Sequence, residues 1–340
     1  MNLETIAKLS GVSRSTVSRV INHSPNVRPE VRERVLQVLR ETNFQPNAAA
    51  RGLAAGSTRV LGLVIPLGIG HLFSDPYFPL LIQGVSAACN AADYSVMLWL
   101  ADPEYERRTM RQILHSGLID GVVVASIQSG DPLIEALLER SFPFVSIGQI
   151  AAEKPIPFVD VDNVSSARQA VEHLLGLGRR RVATIAGPQV IHASAGRLEG
   201  YRQALEAAGL PFRPEWVVEG DFTQEGGYRA MQRLLEQRPD AVFAASDALA
   251  QGALRAIGEA GLRVPEDIAL VGFDDLPFAA HLHPPLTTVR QPIEQLGRAA
   301  VDMLVGLLSK SNSMSQSQIL PTELVVRASS GSQTANRLES

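Results

Sequence analysis

Three short segments in the first sixty residues carry apolar positions at helical spacing. Residues 3–10 form the first predicted helix, which Gly11 ends, and Ser13 can cap a second helix over residues 14–21. Pro29 opens the third helix. The turn between the first two helices has the length found in a helix-turn-helix. The predicted inward positions are Leu3, Ile6, Ala7 and Leu9, then Thr16, Val17 and Val20, then Val31, Val35, Val38 and Leu39.

After residue 59 the pattern changes to apolar runs of strand length that alternate with helical segments. Nearly continuous Val, Ile and Ala strands with intervening helices indicate parallel sheets covered on both faces, a doubly wound α/β arrangement. The predicted strands are 60–65, 95–100, 121–125, 144–147, 181–186, 241–245 and 268–272. The predicted helices are 80–92, 105–115, 132–139, 166–177, 196–208, 226–236 and 249–260.

This second part of the chain has too many strand and helix units for one sheet of ordinary size. A break near residues 155–163 divides it into two halves of similar length. We therefore expect two lobes with a cleft between them. Ligands of such sheets bind beyond the carboxyl ends of the strands, so the loops that follow strands are where a site is expected.

The second predicted helix leaves a short polar face outside its apolar stripe. Arg14, Ser15, Ser18 and Arg19 lie on this face. An arginine can pair with guanine O6 and N7 in the major groove of DNA, while hydroxyl groups hold phosphates. The alternative is a solvated face in an ordinary three-helix bundle.

Charge is distributed unevenly along the chain, and the excess of positive charge lies at its start. Residues 1–60 contain nine Arg or Lys against four Glu, a net charge of +5, whereas the whole chain has −4. Such a split is expected when one end approaches phosphates and the rest remains soluble.

Residues 47–54 are predicted to form a short helix of alanines with one leucine. A helix of this length is not stable alone in water, so it must dock against something. In the alternative interpretation, Leu53 is a linker residue that packs on the large domain.

The composition is that of an ordinary globular protein, with 45% hydrophobic and 19% charged residues. The lone cysteine, Cys89, cannot form an internal disulfide and is predicted to be a small core residue. The sequence shows neither an export signal nor an apolar run of roughly 18 residues, the length of a membrane span. We expect a soluble cytoplasmic protein.

Two other functional classes are less well supported. The sequence has no His-Glu-x-x-His helix, no Gly-x-Ser-x-Gly elbow and no phosphate-cradling glycine loop, so we expect no enzyme, no cofactor and no metal. A secreted solute-binding protein would share the two lobes, but the missing export signal and the basic start of the chain argue against it.

Dense motifs at the start of the chain resemble the headpiece of the lactose-repressor (LacI/GalR) family. They are residues 6–13, 15–22 and 44–53. The resemblance continues to near Ser330 through residues 187–188, 195–201, 220–222, 246–247, 271–275, 285–289 and 321–327. It implies a small all-α helix-turn-helix headpiece followed by a two-lobed, periplasmic-binding-protein-like α/β domain. Its two doubly wound parallel sheets would be joined by three crossovers, one of them near residues 289–291.

The resemblance also implies which residues contact double-stranded DNA. Base edges would be read by Arg14, Ser15 and Arg19, and phosphates mostly held by Ser13, Thr16, Ser18 and Asn22. Two hinge helices would pair across a dimer in the minor groove and kink the DNA with a leucine. The residues implied at that groove are Ala50, Arg51 and Leu53.

A second set of residues is implied at an effector site in the cleft. This set is Tyr77, Phe78, Asp162, Arg197, Phe222, Asp247, Asp274 and Gln291. From the residues alone there are two alternatives for Arg197 and Asp274. They form a fork that binds hydroxyls or a carboxylate of the ligand, or they pair with each other. Tyr77 and Phe78 are otherwise aromatic core residues.

The class of effector is predicted by comparison within the family. The purine-binding branch has Arg and Thr where this chain has Ile191 and Ala193, and an acid in place of Gly148. We therefore expect a carbohydrate or sugar derivative as effector, with a nucleoside or purine as the alternative. The ligand either releases the DNA operator or strengthens its binding, since both occur in the family.

We expect a DNA-binding transcriptional regulator, a repressor, that acts as a homodimer on a near-palindromic operator. The polar carboxyl end lacks leucine heptads, so no tetramerising coiled coil is expected. The predicted division is a headpiece over 1–46, a hinge over 47–58, an effector domain over 59–330 and a tail over 331–340. Its first lobe comprises about 59–160 and 292–320, and its second lobe about 161–290 and 321–330.

Overall fold

The computed structural model of the protein describes most of the chain in two compact units. One unit comprises residues 1–60 with 113–120, and the other comprises 61–112 with 121–340. Within the described ranges, none of the helices combines the length and apolar character that a membrane span requires. The described residues are 2–21, 24–44, 57–66, 72, 75–99, 114, 116–125, 128, 130–150, 155–309 and 317–331.

Ten α-helices and twelve strands are defined within these ranges. The helices are α1 (Leu3–Ser10), α2 (Arg14–Ile21), α3 (Pro29–Glu41), α4 (Tyr77–Ala91), α5 (Pro132–Glu139), α6 (Asn163–Gly176), α7 (His192–Ala207), α8 (Gln224–Leu235), α9 (Asp247–Glu259) and α10 (Ile293–Leu308). The strands are β1 (Val60–Val64), β2 (Ser95–Trp99), β3 (Gly121–Ala125), β4 (Phe144–Ile147), β5 (Phe158–Val161), β6 (Val182–Ala186), β7 (Val217–Glu219), β8 (Ala241–Ala244), β9 (Ala269–Asp274), β10 (Thr287–Arg290), β11 (Ser317–Leu320) and β12 (Glu323–Val325).

The first three helices form the small domain that the sequence predicts. Gly11 ends α1 in the left-handed conformation with φ 64°, a geometry that glycine adopts without strain. The helices close over a core of Ile6, Ala7, Val17, Val20 and Val35.

One predicted core position of this domain is wrong. Leu9 is 58% exposed, and Ser10 is buried in its place. The Ser10 hydroxyl donates to the Ile6 carbonyl at 2.6 Å, which satisfies the buried polar group within its own helix. A serine with this local partner can therefore occupy an inward position that apolar spacing assigns to a leucine.

The larger unit is built on two six-stranded sheets, as predicted. The strand order is β11-β5-β4-β3-β1-β2 in the first sheet and β12-β10-β9-β8-β6-β7 in the second. Every pairing with a described register is parallel except that of β10 with β12, which is antiparallel. The sheets are therefore mostly rather than wholly parallel. The chain crosses between them at residues 161–163, 290–293 and 320–323.

The predicted break at residues 155–163 contains the strand β5, and the chain crosses to the second sheet only at its end, at residues 161–163. This strand pairs with β4 on one side and β11 on the other, so its partners lie far along the chain as well as nearby. The strand is hard to predict from the sequence because it has only four residues and follows prolines at 155 and 157. Apolar runs also do not predict four further short strands and one helix, namely β7, β10, β11, β12 and α10. Residues 105–113 and 115 of one predicted helix lie outside the described residues.

Two glycines allow α8 and α9 to pack with their backbones close together. A Cβ atom at Gly252 would lie 1.9 Å from the Gln224 carbonyl oxygen, and one at Gly227 would lie 2.1 Å from the Leu249 carbonyl oxygen. Real Cβ atoms do not approach backbone oxygen so closely, so any side chain there would push the helices apart. This close contact sets the position of the first turn of α8, which the cavity described below uses.

Gly252→Ala is expected to destabilise the protein by about 1 to 3 kcal/mol, because the added methyl group overpacks the contact between α8 and α9. Gly258→Ala is the matched control in the same helix, since a Cβ there has nothing within 4 Å. That control should stabilise the protein by about 0.5 kcal/mol through the higher helix propensity of alanine. Urea unfolding followed by circular dichroism measures both changes, and equal effects of the two substitutions would contradict the close contact.

Candidate functional sites

The polar face predicted on α2 is present in the structure. Arg14, Ser15 and Arg19 are exposed, and Ser18 is half-buried. On the opposite face Val17 and Val20 are buried in the domain core. The helix is thus anchored from behind and presents guanidinium and hydroxyl groups outward.

The start of α2 is held by a group of hydroxyls. Ser13 Oγ accepts a hydrogen bond from the Thr16 amide at 3.2 Å and lies 2.8 Å from Ser15 Oγ and 2.9 Å from Thr16 Oγ1. Free amides and hydroxyls at a helix start are suited to bind a phosphate oxygen. Among the predicted DNA contacts, Asn22, Ala50, Arg51 and Leu53 lie outside the described residues.

A cavity of about 520 Å³ lies between the two sheets of the larger unit. Both lobes line it: Tyr77, Phe78 and the loop after β4 come from the first, and Arg197 and Phe222 from the second. The cavity also includes Asp274 and Gln291. Six of the eight predicted effector residues therefore lie together around one space of the size that small-molecule sites have.

Arg197 is buried at the second-lobe side of this cavity and is held by several elements. Its Nε donates to Asn163 Oδ1 at 3.0 Å, and its Nη1 donates to the Ala245 carbonyl at 2.6 Å. The guanidinium carbon lies 3.7 Å from the centre of the Phe273 ring. Nη1 is also 3.7 Å from Asp274 Oδ1. Arg197 and Asp274 thus pair with each other, as one of the two alternatives from the sequence predicts, and both line the cavity.

Asp274 is a buried acid with an unusual proton affinity. Burial raises the pKa of its carboxyl from the ordinary value of 3.8 to about 7, although the charge of Arg197 and a hydrogen bond from Gln291 oppose this rise. Gln291 Nε2 donates to Asp274 Oδ1 at 2.5 Å. Burial, followed by the charge of Asp274, also raises the pKa of the Tyr77 hydroxyl. The inner end of the cavity therefore offers hydrogen-bond donors and acceptors in a dry setting.

Asp247, one of the predicted effector residues, does not line the cavity. Its side chain is fully buried away from the cavity lining. One carboxylate oxygen accepts from the Leu276 amide at 2.7 Å and the other from Thr288 Oγ1 at 2.6 Å. Burial, then the neighbouring charge of Asp274, raises its pKa.

Asp162, another predicted effector residue, does not line the cavity, whereas Asp160 does. Asp162 is exposed and caps α6 by accepting from the Ser165 amide at 2.9 Å. Hydrogen bonds from the Ser165 side chain and then from its amide lower the pKa of Asp162. Asp160 is buried and lines the cavity. It accepts from the Gln149 amide at 2.9 Å and from Asn163 Nδ2 at 3.1 Å. Because side chains alternate along a strand, recognition of β5 would have placed Asp160 and Val161 on opposite faces.

Phe222 reaches the cavity from a strained position in the loop before α8. Its φ of 60° is in the left-handed region, which is uncommon for a residue with a side chain. Its ring lies against Gly187, where a Cβ would be 2.3 Å from Phe222 Cζ. Phe222 therefore adds an aromatic face to a cavity whose opposite side has Tyr77 packed edge-on against Phe78 at 5.3 Å. Aromatic faces beside hydrogen-bonding groups suit a ring that has apolar faces and hydroxyl edges.

Comparison with known families assigns both parts of the chain. Residues 2–47 match the family described as bacterial regulatory proteins, lacI family. Residues 171–330 match the periplasmic binding protein-like domain. The first match covers the helix-turn-helix, and the second covers all six strands of the second sheet and the helices between them.

Full-length relatives extend this similarity over almost the whole chain. The HTH-type transcriptional regulator CelR of Thermobifida fusca is 40% identical over 331 residues, which cover 96% of this chain and 97% of CelR. The solved CelR–cellobiose complex has a TM-score of 0.77 at 38% identity and covers 97% of this chain and 99% of its own. The solved lac repressor dimer bound to operator and the anti-inducer ONPF has a TM-score of 0.83 at 27% identity. The match covers 98% of this chain and 99% of the lac repressor chain.

The raised pKa of Asp274 predicts how stability changes with pH. Between 3.8 and about 7 the folded protein holds a proton that the unfolded chain releases, so the free energy of unfolding should fall as the pH rises through this window. Asp274→Asn should make this decrease in the free energy of unfolding less steep. A decrease should remain, because the pKa of Asp247 is also raised. Urea unfolding of the ligand-free protein at successive pH values measures the slope. An identical slope in parent and variant would contradict the assignment.

Proposed function

Because the chain belongs to the LacI family of bacterial transcriptional regulators, we propose that it binds a near-palindromic DNA operator as a homodimer and that a small carbohydrate in its cavity changes operator affinity. One observation carries this proposal: the same chain has two distinct binding surfaces. One is the exposed Arg and Ser face of α2, and the other is the polar, aromatic-lined cavity between the two lobes. The first is suited to DNA bases, and the second to a sugar.

In this proposal α2 lies in the major groove. Arg14, Ser15 and Arg19 contact base edges, since guanidinium groups pair with guanine and hydroxyls pair with several bases. Residues around the start of the helix hold the phosphates and so set its register on the duplex. These phosphate contacts are Ser13, Thr16, Ser18 and Asn22.

The headpiece (1–46) is joined to the effector domain (59–330) by the hinge of residues 47–58. We propose that two hinges pair in the minor groove and contribute Ala50, Arg51 and Leu53. The lac repressor structure similar to this chain is a dimer bound to operator, which supports a paired arrangement here. Closure of the lobes on a ligand would then alter whether the hinge helices form and so change repression.

The proposed effector is a carbohydrate of the cellobiose type. CelR, a 40% identical relative, has been solved in complex with cellobiose. In this chain the Arg197 guanidinium and the Asp274 carboxyl supply donors and an acceptor for hydroxyls, and Phe222 supplies a face for ring C–H groups. Ile191 and Ala193, which also line the cavity, lack the polar side chains that a purine would need at that wall.

Selection of bound duplexes from random DNA tests the proposal as a whole. The full chain should enrich one sequence with two inverted half-sites, and cellobiose should change the amount recovered, whereas a purine base should not. If no duplex is enriched over bulk competitor, the DNA-binding proposal fails. If enrichment responds only to the purine, the regulator stands and the carbohydrate assignment fails.

Arg19→Ala is expected to cost about 1 to 3 kcal/mol against the preferred base at one position of each half-site and to flatten the preference there. Quantitative binding to a set of single-base operator variants measures this. Arg40→Ala is the control in the same domain, because Arg40 is exposed on α3 and paired with Glu33 at 2.9 Å. It should leave the base preference unchanged. An Arg19→Ala variant with the parental preference at every position would remove Arg19 from base reading.

A further inference from the structure

The cavity extends beyond the Arg197 and Asp274 end to a polar wall on α8 and α9. We infer that Gln251, Arg255 and Glu225 on this wall form an outer subsite, which takes the second ring of a disaccharide effector and sets the preferred chain length. This inference rests on the proposed carbohydrate effector and extends it to residues that sequence comparison did not suggest.

One side of the wall is formed by regularly spaced residues of α9. Ala248, Gln251 and Arg255 all line the cavity, and their spacing of three and four residues places them on one face of the helix. The helix starts at Asp247, close after Ala245, whose carbonyl holds Arg197. At the α-helical rise, Arg255 lies about 12 Å further along the axis than Asp247. The row of side chains thus leads away from the inner end by more than the length of one hexose ring.

The first turn of α8 supplies the other side of the wall. The close approach of the two helices at Gly252 places the Gln224 backbone directly against α9. Glu225, the next residue, reaches Arg255, with Oε2 and Nη2 separated by 3.2 Å. Gln224 and Glu225 also line the cavity. The Glu225 carboxylate, the Arg255 guanidinium and the Gln251 amide therefore all lie at the outer end of the cavity.

Arg255 is held in place before any ligand arrives. Its guanidinium carbon lies 3.8 Å from the centre of the Tyr228 ring, and its Nε lies 3.6 Å from Glu259 Oε1. The Tyr228 hydroxyl donates to Glu259 Oε2 at 2.6 Å, which fixes the ring beneath the guanidinium. An arginine side chain that is already ordered loses less conformational entropy on binding a ligand.

The charge of the wall selects a neutral polyhydroxy ligand. Arg255 already faces Glu225 and Glu259, and Arg229 faces Asp221 at 3.3 Å, so an anion would meet carboxylates as well as guanidinium groups. A guanidinium carries five N–H donors, and these two carboxylates engage only Nη2 and Nε of Arg255. A sugar hydroxyl both donates and accepts, so it can bond to the guanidinium, the carboxylate and the amide at once.

Isothermal titration of the full chain with cellobiose and with glucose tests the outer subsite. Arg255→Ala should weaken cellobiose binding by about tenfold or more, the loss expected for a hydrogen bond to a charged donor, and should leave glucose binding unchanged. Gln251→Ala should act in the same direction. Where glucose binds too weakly for direct titration, competition against cellobiose gives its affinity.

Arg202→Ala is the matched control, because Arg202 is an arginine of similar exposure that also pairs with two carboxylates, at 2.7 and 3.7 Å, away from the cavity lining. It should bind both sugars as the parent does, and thermal unfolding should show that all variants are folded. An equal loss for both sugars, or no loss for either, would overturn the outer subsite while leaving the sugar effector in place. Failure of the parent itself to bind either sugar would instead overturn the carbohydrate effector.

Discussion

The buried guanidinium of Arg197 is the interaction on which the ligand cavity depends. It bonds to Asn163 at the start of α6 and to the Ala245 carbonyl after β8, and it stacks on Phe273 of β9. One side chain on α7 thus joins three other elements at the carboxyl ends of the second sheet. Loss of this group would leave a buried carbonyl without a donor and a buried carboxyl without its counter-charge, both of which are costly in a dry interior.

The acids near Arg197 explain why a neutral ligand suits this cavity. Asp274 and Asp247 are both buried, and one guanidinium has to offset them. Burial raises the pKa of each carboxyl, which means that the folded protein disfavours their ionised forms. A ligand with hydroxyl groups can donate hydrogen bonds to Asp274 without adding charge. A negatively charged ligand at the same place would have to be buried beside Asp274, in a setting that already disfavours an ionised carboxyl.

Much of the fold follows from the local sequence, and three of the missed strands have a common cause. The first two headpiece helices were predicted with both bounds and the third with its start. The bounds of β3, β4 and α5 were predicted too, because each element carries its own period of apolar positions, its own cap or its own flanking turn. The strand β5 was missed because it has only four residues behind two prolines, and its assignment depends on pairing with β4 and β11. The strands β11 and β12 were missed for the same reason, since each is short and is defined by a distant partner.

The sequence by itself determined the helix-turn-helix, its exposed arginines and the places where strands end in candidate ligand groups, because these features depend on neighbours within a few residues. Only the tertiary structure decided which of those groups reach the cavity. Asp160 does so because it lies within β5, whereas Asp162 lies past the end of that strand and caps α6; Asp247 does not because Leu276 and Thr288 hold it inside. Arg255 lines the cavity beside Glu225 because two glycines bring two helices together, and that contact joins residues about thirty positions apart in the chain.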